Sequence, residues 1–281
     1  MQTITKVHKV AAFTSGEEGG NPAGVMIRAS LPEEPAMQRI AAEMGYSETV
    51  FAAPQGDGWR VRYFSPDGEV AFCGHATIAL GAVLAQQNGD GIFPLTTNHA
   101  QVTVEGKAHA NGAFAALQSP ATSSSPASPA LVQEALKLFG YALSDLDDRI
   151  PPAIASGGVQ HLVLALRSRD KLRAMRYELG AGRSLMQRYG LTTISLVHAE
   201  TPQRFHARNP FASSGVYEDP ATGAAAAALA GYLRDLDWPH GGAIDIIQGE
   251  DMGAPCHLQV QIPKEPGSSI RVSGKARMIG E

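Results

Sequence analysis

Three side chains of the kinds that move protons stand where the backbone changes direction: Glu48, His75 and Asp219. Glu48 lies in Tyr46-Ser47-Glu48-Thr49-Val50-Phe51, directly after a helix stop at Gly45. Strands are poor in Glu, so a carboxylate inside this short strand-like run either points to solvent or is kept for chemistry. His75 closes the tight loop Cys73-Gly74-His75, from which Ala76-Thr77-Ile78-Ala79-Leu80-Gly81-Ala82-Val83-Leu84 departs as an apolar helix. Asp219 holds a similar place near the other end, where Glu218-Asp219-Pro220-Ala221-Thr222-Gly223 runs into a helix rich in Ala. An Asp before a Pro at a helix start is also an ordinary cap. Lining up Ala76-Thr77 with Ala221-Thr222 pairs the two helices and sets Gly74-His75 opposite Asp219-Pro220.

The chemistry these residues suit is the movement of a hydrogen on a carbon next to a carboxylate. It needs a positioned base, a place for enolate-like charge, and a group to return the proton. Helix starts offer the second, because their first amides lack partners and the helix dipole makes them positive. The amides around Gly74-His75 and around Gly223-Ala224 are thus candidate holders of a substrate carboxylate. Glu48 is the candidate base. Cys73 reads as a small packing residue, since a cysteine outside a reactive setting behaves as a buried hydrophobe.

The elements that must position these groups follow from apolar periodicity. Strands are predicted over residues 4–13, 59–64, 92–97, 101–105, 113–118, 160–166, 193–198, 203–209, 244–248, 257–262 and 270–278. Helices are predicted from Pro32 to Gly45, from His75 to about Asn88, and over 131–139, 170–175 and 182–189, with Gly45 and Gly140 as stops. Ser119 to Ala130, rich in Ser and Pro with little to bury, is the best domain boundary. A strand leading through a polar loop into a buried Ala-rich helix occurs in each half, which points to internal duplication. Arg62 and Arg208 each precede one of the two loops, and a surface salt bridge is the expected role of each.

The chain has 281 residues, 44% hydrophobic and 18% charged, with a formal charge of -4. That is a globular composition, long enough for one large or two small domains. Scattered basic residues give no electrostatic reason to expect nucleic acid. No apolar run approaches the roughly 18 residues of a membrane span, and the N-terminus lacks signal-peptide layout, so no membrane role and a cytoplasmic location are expected. The two cysteines and nine histidines show neither a disulfide framework nor metal-ligand spacing.

Four motifs together carry a family resemblance: Asn21-Pro22-Ala23-Gly24-Val25, Ser47-Glu48-Thr49-Val50-Phe51, Cys73-Gly74-His75-Ala76-Thr77 and Glu218-Asp219-Pro220-Ala221-Thr222-Gly223. In order and spacing they resemble the phenazine-biosynthesis PhzF-like isomerases across essentially the whole chain. The resemblance implies an α+β, diaminopimelate epimerase-like fold of two similar domains, each a curved sheet or barrel around a central helix, with the active site in the cleft between them. The domains are expected at 1–118 plus about 269–281, and at 119–268. The resemblance also implies no metal, no organic cofactor, a small carboxylic acid as substrate, and a homodimer. It makes Glu48 the residue that removes and redelivers the proton, with His75 and Asp219 assisting, and Asn21, Gly74, Gly223 and Ala224 as substrate-binding positions.

Where the phenazine enzyme carries a Ser after Thr222-Gly223, this chain has Ala224, so the hydroxyl is missing and the substrate need not be the phenazine precursor. Cys73-Gly74-His75 also resembles the Cys-Gly-Asn motif of diaminopimelate epimerase, but the second loop offers no thiol to complete a two-base pair. The expected activity is a cofactor-independent isomerase moving a proton or double bond on a small unsaturated or hydroxy carboxylic acid. Epimerisation or racemisation of an amino or imino acid is the alternative, followed by a non-catalytic binding protein on the same fold.

Overall fold

The computed structural model describes residues 6–110 and 112–280. The chain divides into two compact units, Met1–Gln118 with Ser273–Glu281, and Ser119–Val272. The first part of the strand predicted over 4–13 lies outside the described residues.

In chain order the first unit contains β1 (His8–Ala12), β2 (Asn21–Ile27), α1 (Glu34–Met44), β3 (Thr49–Gln55), β4 (Gly58–Phe64), β5 (Glu69–Val70), α2 (Gly74–Asn88), β6 (Gly91–Thr96), β7 (Gln101–His109) and β8 (Gly112–Ala121). The second contains β9 (Ser123–Pro126), α3 (Pro129–Phe139), β10 (Ala153–Ser156), β11 (Gln160–Ala165), α4 (Arg169–Arg173), α5 (Leu179–Tyr189), β12 (Thr193–Thr201), β13 (Arg204–Phe211), β14 (Val216–Asp219), α6 (Gly223–Asp235), β15 (Ala243–Gln248), β16 (Cys256–Gln261) and the start of β17 (Ser269–Met278).

Strand pairing in the first unit runs β1, β2, β3, β4, β6, β7, β8, β17 and returns to β1, so the sheet closes on itself. Closure removes the exposed edges that an open sheet must otherwise protect. α2 is buried continuously from His75 to Ala85, which is why its sequence is apolar all round rather than striped. The fit against β7 depends on two glycines: a Cβ at Gly106 would overlap the Gly81 carbonyl, and one at Gly81 would meet the Val104 side chain at 2.5 Å.

In the second unit the order is β9, β10, β11, β12, β13, β15, β16, with β11–β12 and β13–β15 parallel. α6 is buried from Ala225 to Arg234 and packs against β9, β10 and β16. On this unit α3 and α5 bury Leu131, Leu136, Phe139, Leu185 and Met186 in a second apolar cluster with β11 and β12 residues Leu162, Leu164, Ile194 and Leu196. Gly157 approaches α6 closely, since a Cβ there would lie 3.1 Å from the Ala227 side chain.

Three expectations change. The Ser/Pro-rich segment begins the second unit, where the boundary is expected, but it has more to bury than its composition suggests: Ser123–Pro126 is strand β9, in antiparallel register with Ala153–Ser156, and Ser119 and Thr122 are buried. Backbone hydrogen bonds to β10 stabilise β9, whose own side chains offer little to bury. Glu48 is not inside a strand but is the residue before β3, and its carbonyl accepts from the Gly24 N–H at 3.2 Å. The two central helices pair with a different offset, Gly74 with Gly223, because the N-caps are Cys73 and Thr222. His75 therefore corresponds to Ala224, and Asp219 lies three residues before its helix's cap.

Candidate active site

In the first unit the backbone brings Glu48, Cys73 and His75 together. β2 and β3 run parallel, and Gly24 lies opposite Thr49, where a Cβ would meet the Thr49 Oγ1 at 2.7 Å. The glycine of the Asn21-Pro22-Ala23-Gly24 motif thus permits the close approach that holds Glu48. Asn21 itself is buried at the start of β2, paired with Ala12 of β1. The loop before α2 is held from beneath: Thr77 Oγ1 donates to the Cys73 carbonyl at 2.7 Å and lies 2.8 Å from the Tyr63 hydroxyl. Burial, above all, raises the Tyr63 phenol far beyond its ordinary range, so it stays protonated.

His75 is 4% exposed and Glu48 9%. His75 Nε2 stands 3.3 Å from Glu48 Oε2 and 3.3 Å from Ser47 Oγ. Glu48 Oε2 is buried and receives no hydrogen bond among the described residues, so its approach to His75 is within ion-pair reach but not in hydrogen-bond alignment. Such an oxygen is costly in a folded core and is found where a group is held ready for something outside the chain. Cys73 Sγ lies 3.3 Å from His75 Nδ1 and 3.9 Å from Nε2. Cys73 is the N-cap of α2 and its side chain makes no capping hydrogen bond, so the first turn at Gly74 is not closed by a side chain. Sequence reasoning placed Glu48 and His75 here; it missed Ser47 as a His75 neighbour, although Ser47 stands beside Glu48 in the same motif.

In the second unit Asp219, Thr222 and Gly223 also form a constructed turn. Asp219 ends β14, and the N-cap residue of α6 is Thr222 rather than the expected Asp219, whose Oδ2 accepts from Thr222 Oγ1 at 2.7 Å. That bond turns the Thr222 hydroxyl away from the first turn of α6, which has no side-chain cap. Gln248, fully buried on β15, holds the turn from behind. Its Nε2 donates to the Asp219 carbonyl at 2.7 Å and to Thr222 Oγ1 at 3.1 Å, and its Oε1 accepts from the Thr222 N–H at 3.3 Å. Nothing local in the sequence points to Gln248, because its partners lie 26 and 29 residues away. Ala224 is the second residue of α6.

Arg62 makes the expected surface salt bridge, and Arg208 does not. Arg208 is buried and forms a two-pronged pair with Glu218, Nε to Oε1 at 2.9 Å and Nη2 to Oε2 at 2.5 Å. Its Nη1 donates to the Arg173 carbonyl at 2.8 Å. Arg62, at the surface, bridges Glu69 and the exposed Glu34. Both serve to hold strand and loop, because a guanidinium fork matches a carboxylate at fixed geometry.

The sequence matches the family described as phenazine biosynthesis-like protein over residues 10–281. An uncharacterized isomerase of Mesorhizobium japonicum is 31% identical over 96% of this chain and 95% of its own, and an uncharacterized isomerase of Deinococcus radiodurans is 32% identical over 92% and 87%. The crystal structure of the Bacillus anthracis phenazine biosynthesis protein of the PhzF family superposes with a TM-score of 0.85 at 23% identity, covering 98% of this chain and 96% of that one. A probable proline racemase from Agrobacterium radiobacter shares the fold at a TM-score of 0.67 and 10% identity, covering 98% and 91%. The diaminopimelate epimerase-like architecture is therefore the fold of this chain.

Proposed function

The chain belongs to the phenazine biosynthesis-like family and is an isomerase, and on that premise we propose that it moves a proton, and with it a double bond, on a small unsaturated or hydroxy carboxylic acid without an organic cofactor. The observation that supports the reading is the buried Glu48 oxygen, beside His75, that no donor among the described residues satisfies. In the proposed reaction Glu48 takes a proton from a carbon of the substrate, and the electron pair left behind becomes the shifted double bond. Glu48 then returns the same proton to a second carbon, so one C–H bond breaks and one forms. His75 steadies the carboxyl group in both protonation states. The substrate carboxylate is held by backbone amides at a helix start, and at Gly74 the lack of a capping bond from Cys73 supports that role.

Asp219, Gly223 and Ala224 enter this proposal through the resemblance, as does assembly into a homodimer. The side chain at 224 has no hydroxyl, which favours a substrate other than one that needs a donor there. The test is a panel of small unsaturated, hydroxy and amino acids incubated in deuterated buffer with the intact protein and with Glu48→Gln. Products are read by mass spectrometry, absorbance and chiral separation. Turnover lost in Glu48→Gln supports the assignment, and turnover that survives the substitution removes Glu48 from it. Inversion at a stereocentre without a double-bond shift would make the enzyme an epimerase instead.

A further inference from the structure

We propose that Glu48, Cys73 and His75 also form a binding site for a borderline divalent cation, Zn2+ before all others, and that occupancy of this site holds the enzyme inactive. The three side chains are all buried, and one ligand atom from each lies within 4.8 Å of the other two. Zinc bonds of about 2.0 Å to nitrogen and oxygen and about 2.3 Å to sulfur, at tetrahedral angles, separate ligand atoms by about 3.3–3.7 Å. The observed separations are 3.3 Å from Glu48 Oε2 to His75 Nε2, and 3.3 and 3.9 Å from Cys73 Sγ to the two ring nitrogens. A modest turn of the imidazole, whose last torsion is soft, directs one nitrogen at the common centre. A carboxylate oxygen with no hydrogen-bond donor is already waiting there.

The donor set selects the ion. One thiolate, one imidazole and one carboxylate suit Zn2+, whereas Mg2+ and Ca2+ require several oxygens. Two anionic ligands neutralise a divalent cation, so the buried site carries no net charge when filled, and binding releases the Cys73 thiol proton to solvent. Three protein ligands leave a fourth position open for water or for a substrate carboxylate. The inhibitory consequence, unlike the site, rests on Glu48 being the proton carrier: a carboxylate bound to a divalent cation is a far weaker base, and the ion fills the space in front of it.

The test uses Co2+ as a spectroscopic stand-in and Zn2+ as competitor on the full-length protein. Wild-type protein is expected to bind one Co2+ with the intense visible bands of a four-coordinate ion and a near-ultraviolet sulfur-to-metal charge-transfer band, both bleached by one equivalent of Zn2+. Cys256→Ser, which removes the other thiol, should leave both. Cys73→Ser should abolish the charge-transfer band and weaken Zn2+ binding more than about a hundredfold, beyond the 10- to 100-fold typical of changes outside the ligand set. A weak octahedral spectrum from the wild-type protein, or a charge-transfer band lost in Cys256→Ser and kept in Cys73→Ser, would overturn the site. The spectrum of the wild-type protein decides the matter even if Cys73→Ser does not fold. A Glu48→Gln enzyme that still turns over substrate sinks the proposed reaction and leaves this metal site standing.

Discussion

Glu48 Oε2 lies 3.3 Å from His75 Nε2, yet the carboxylate oxygen is buried and accepts no hydrogen bond among the described residues. The pair thus trades stability for readiness, a common arrangement where a group must act on something outside the chain. Glu48→Gln should lower turnover by at least about a hundredfold, the lower range of general acid–base contributions. The same substitution removes a buried charge lacking a hydrogen-bond donor, so the melting temperature should stay level or rise. Parallel kinetic and thermal measurements check both; a large loss of stability would mean that the carboxylate is structural.

Gln248 reaches the Asp219 turn by three hydrogen bonds and touches it from the buried side. Gln248→Leu is nearly isosteric and removes all three of these bonds from the turn. Turnover should fall about 10- to 100-fold, equivalent to roughly 1.4–2.7 kcal/mol at the barrier. Steady-state kinetics that match the parent would show that this turn is not used in the reaction.

The Arg208–Glu218 pair is buried on both sides, with side-chain exposures of 8% and 3%. Glu218→Ala leaves a guanidinium in the interior without its partner and should cost about 3–5 kcal/mol in urea unfolding. Replacing both, as Arg208→Met with Glu218→Leu, should cost less than Glu218→Ala alone. A double variant that is the weaker of the two would show that the pair contributes more than it loses by desolvation.

Gly106 faces the Gly81 carbonyl of α2, a backbone atom that cannot turn aside. Gly106→Ala should therefore destabilise the protein by about 1–3 kcal/mol, the cost of overpacking. Gly68 has open space where its Cβ would be, and Gly68→Ala should stay within about 0.5 kcal/mol. Equal melting temperatures for the two variants would contradict the helix contact.

His161 is fully buried, with Nδ1 2.7 Å from Thr193 Oγ1 and no hydrogen-bond partner at Nε2 among the described residues. Burial holds its pKa down to about 3, against the usual 6.5. The unfolded chain therefore binds a proton below pH 6.5 that the folded protein refuses until about pH 3. From this group, stability is fully present above pH 6.5 and is lost as pH falls through that window, at up to about 1.4 kcal/mol per pH unit. His161→Gln should flatten that part of the profile. Denaturant unfolding at several pH values compares the two slopes, and equal slopes would mean that His161 titrates alike in both states.

Much of this protein was determined by sequence alone wherever the physical cause is local. Gly45 and Gly140 end their helices in the left-handed conformation that glycine accepts, at φ 66° and 68°. The uninterrupted apolar run after His75 required a helix buried on every side, and Glu48 and His75 stood out as chemistry in motifs of matching order. What only the tertiary structure decided depends on atoms far apart in the chain. Barrel closure needs β1 to meet β17, with Val10 opposite Met278. The burial of Arg208 depends on Glu218 together with carbonyls of 172, 173 and 175. Ser123–Pro126 became a strand through β10, because backbone pairing is indifferent to a weak side-chain pattern. The meeting of Cys73, His75 and Glu48 has the same origin. Residues 25 apart in sequence have no local reason to share a centre, and the parallel β2–β3 pairing and the buried start of α2 bring them to one.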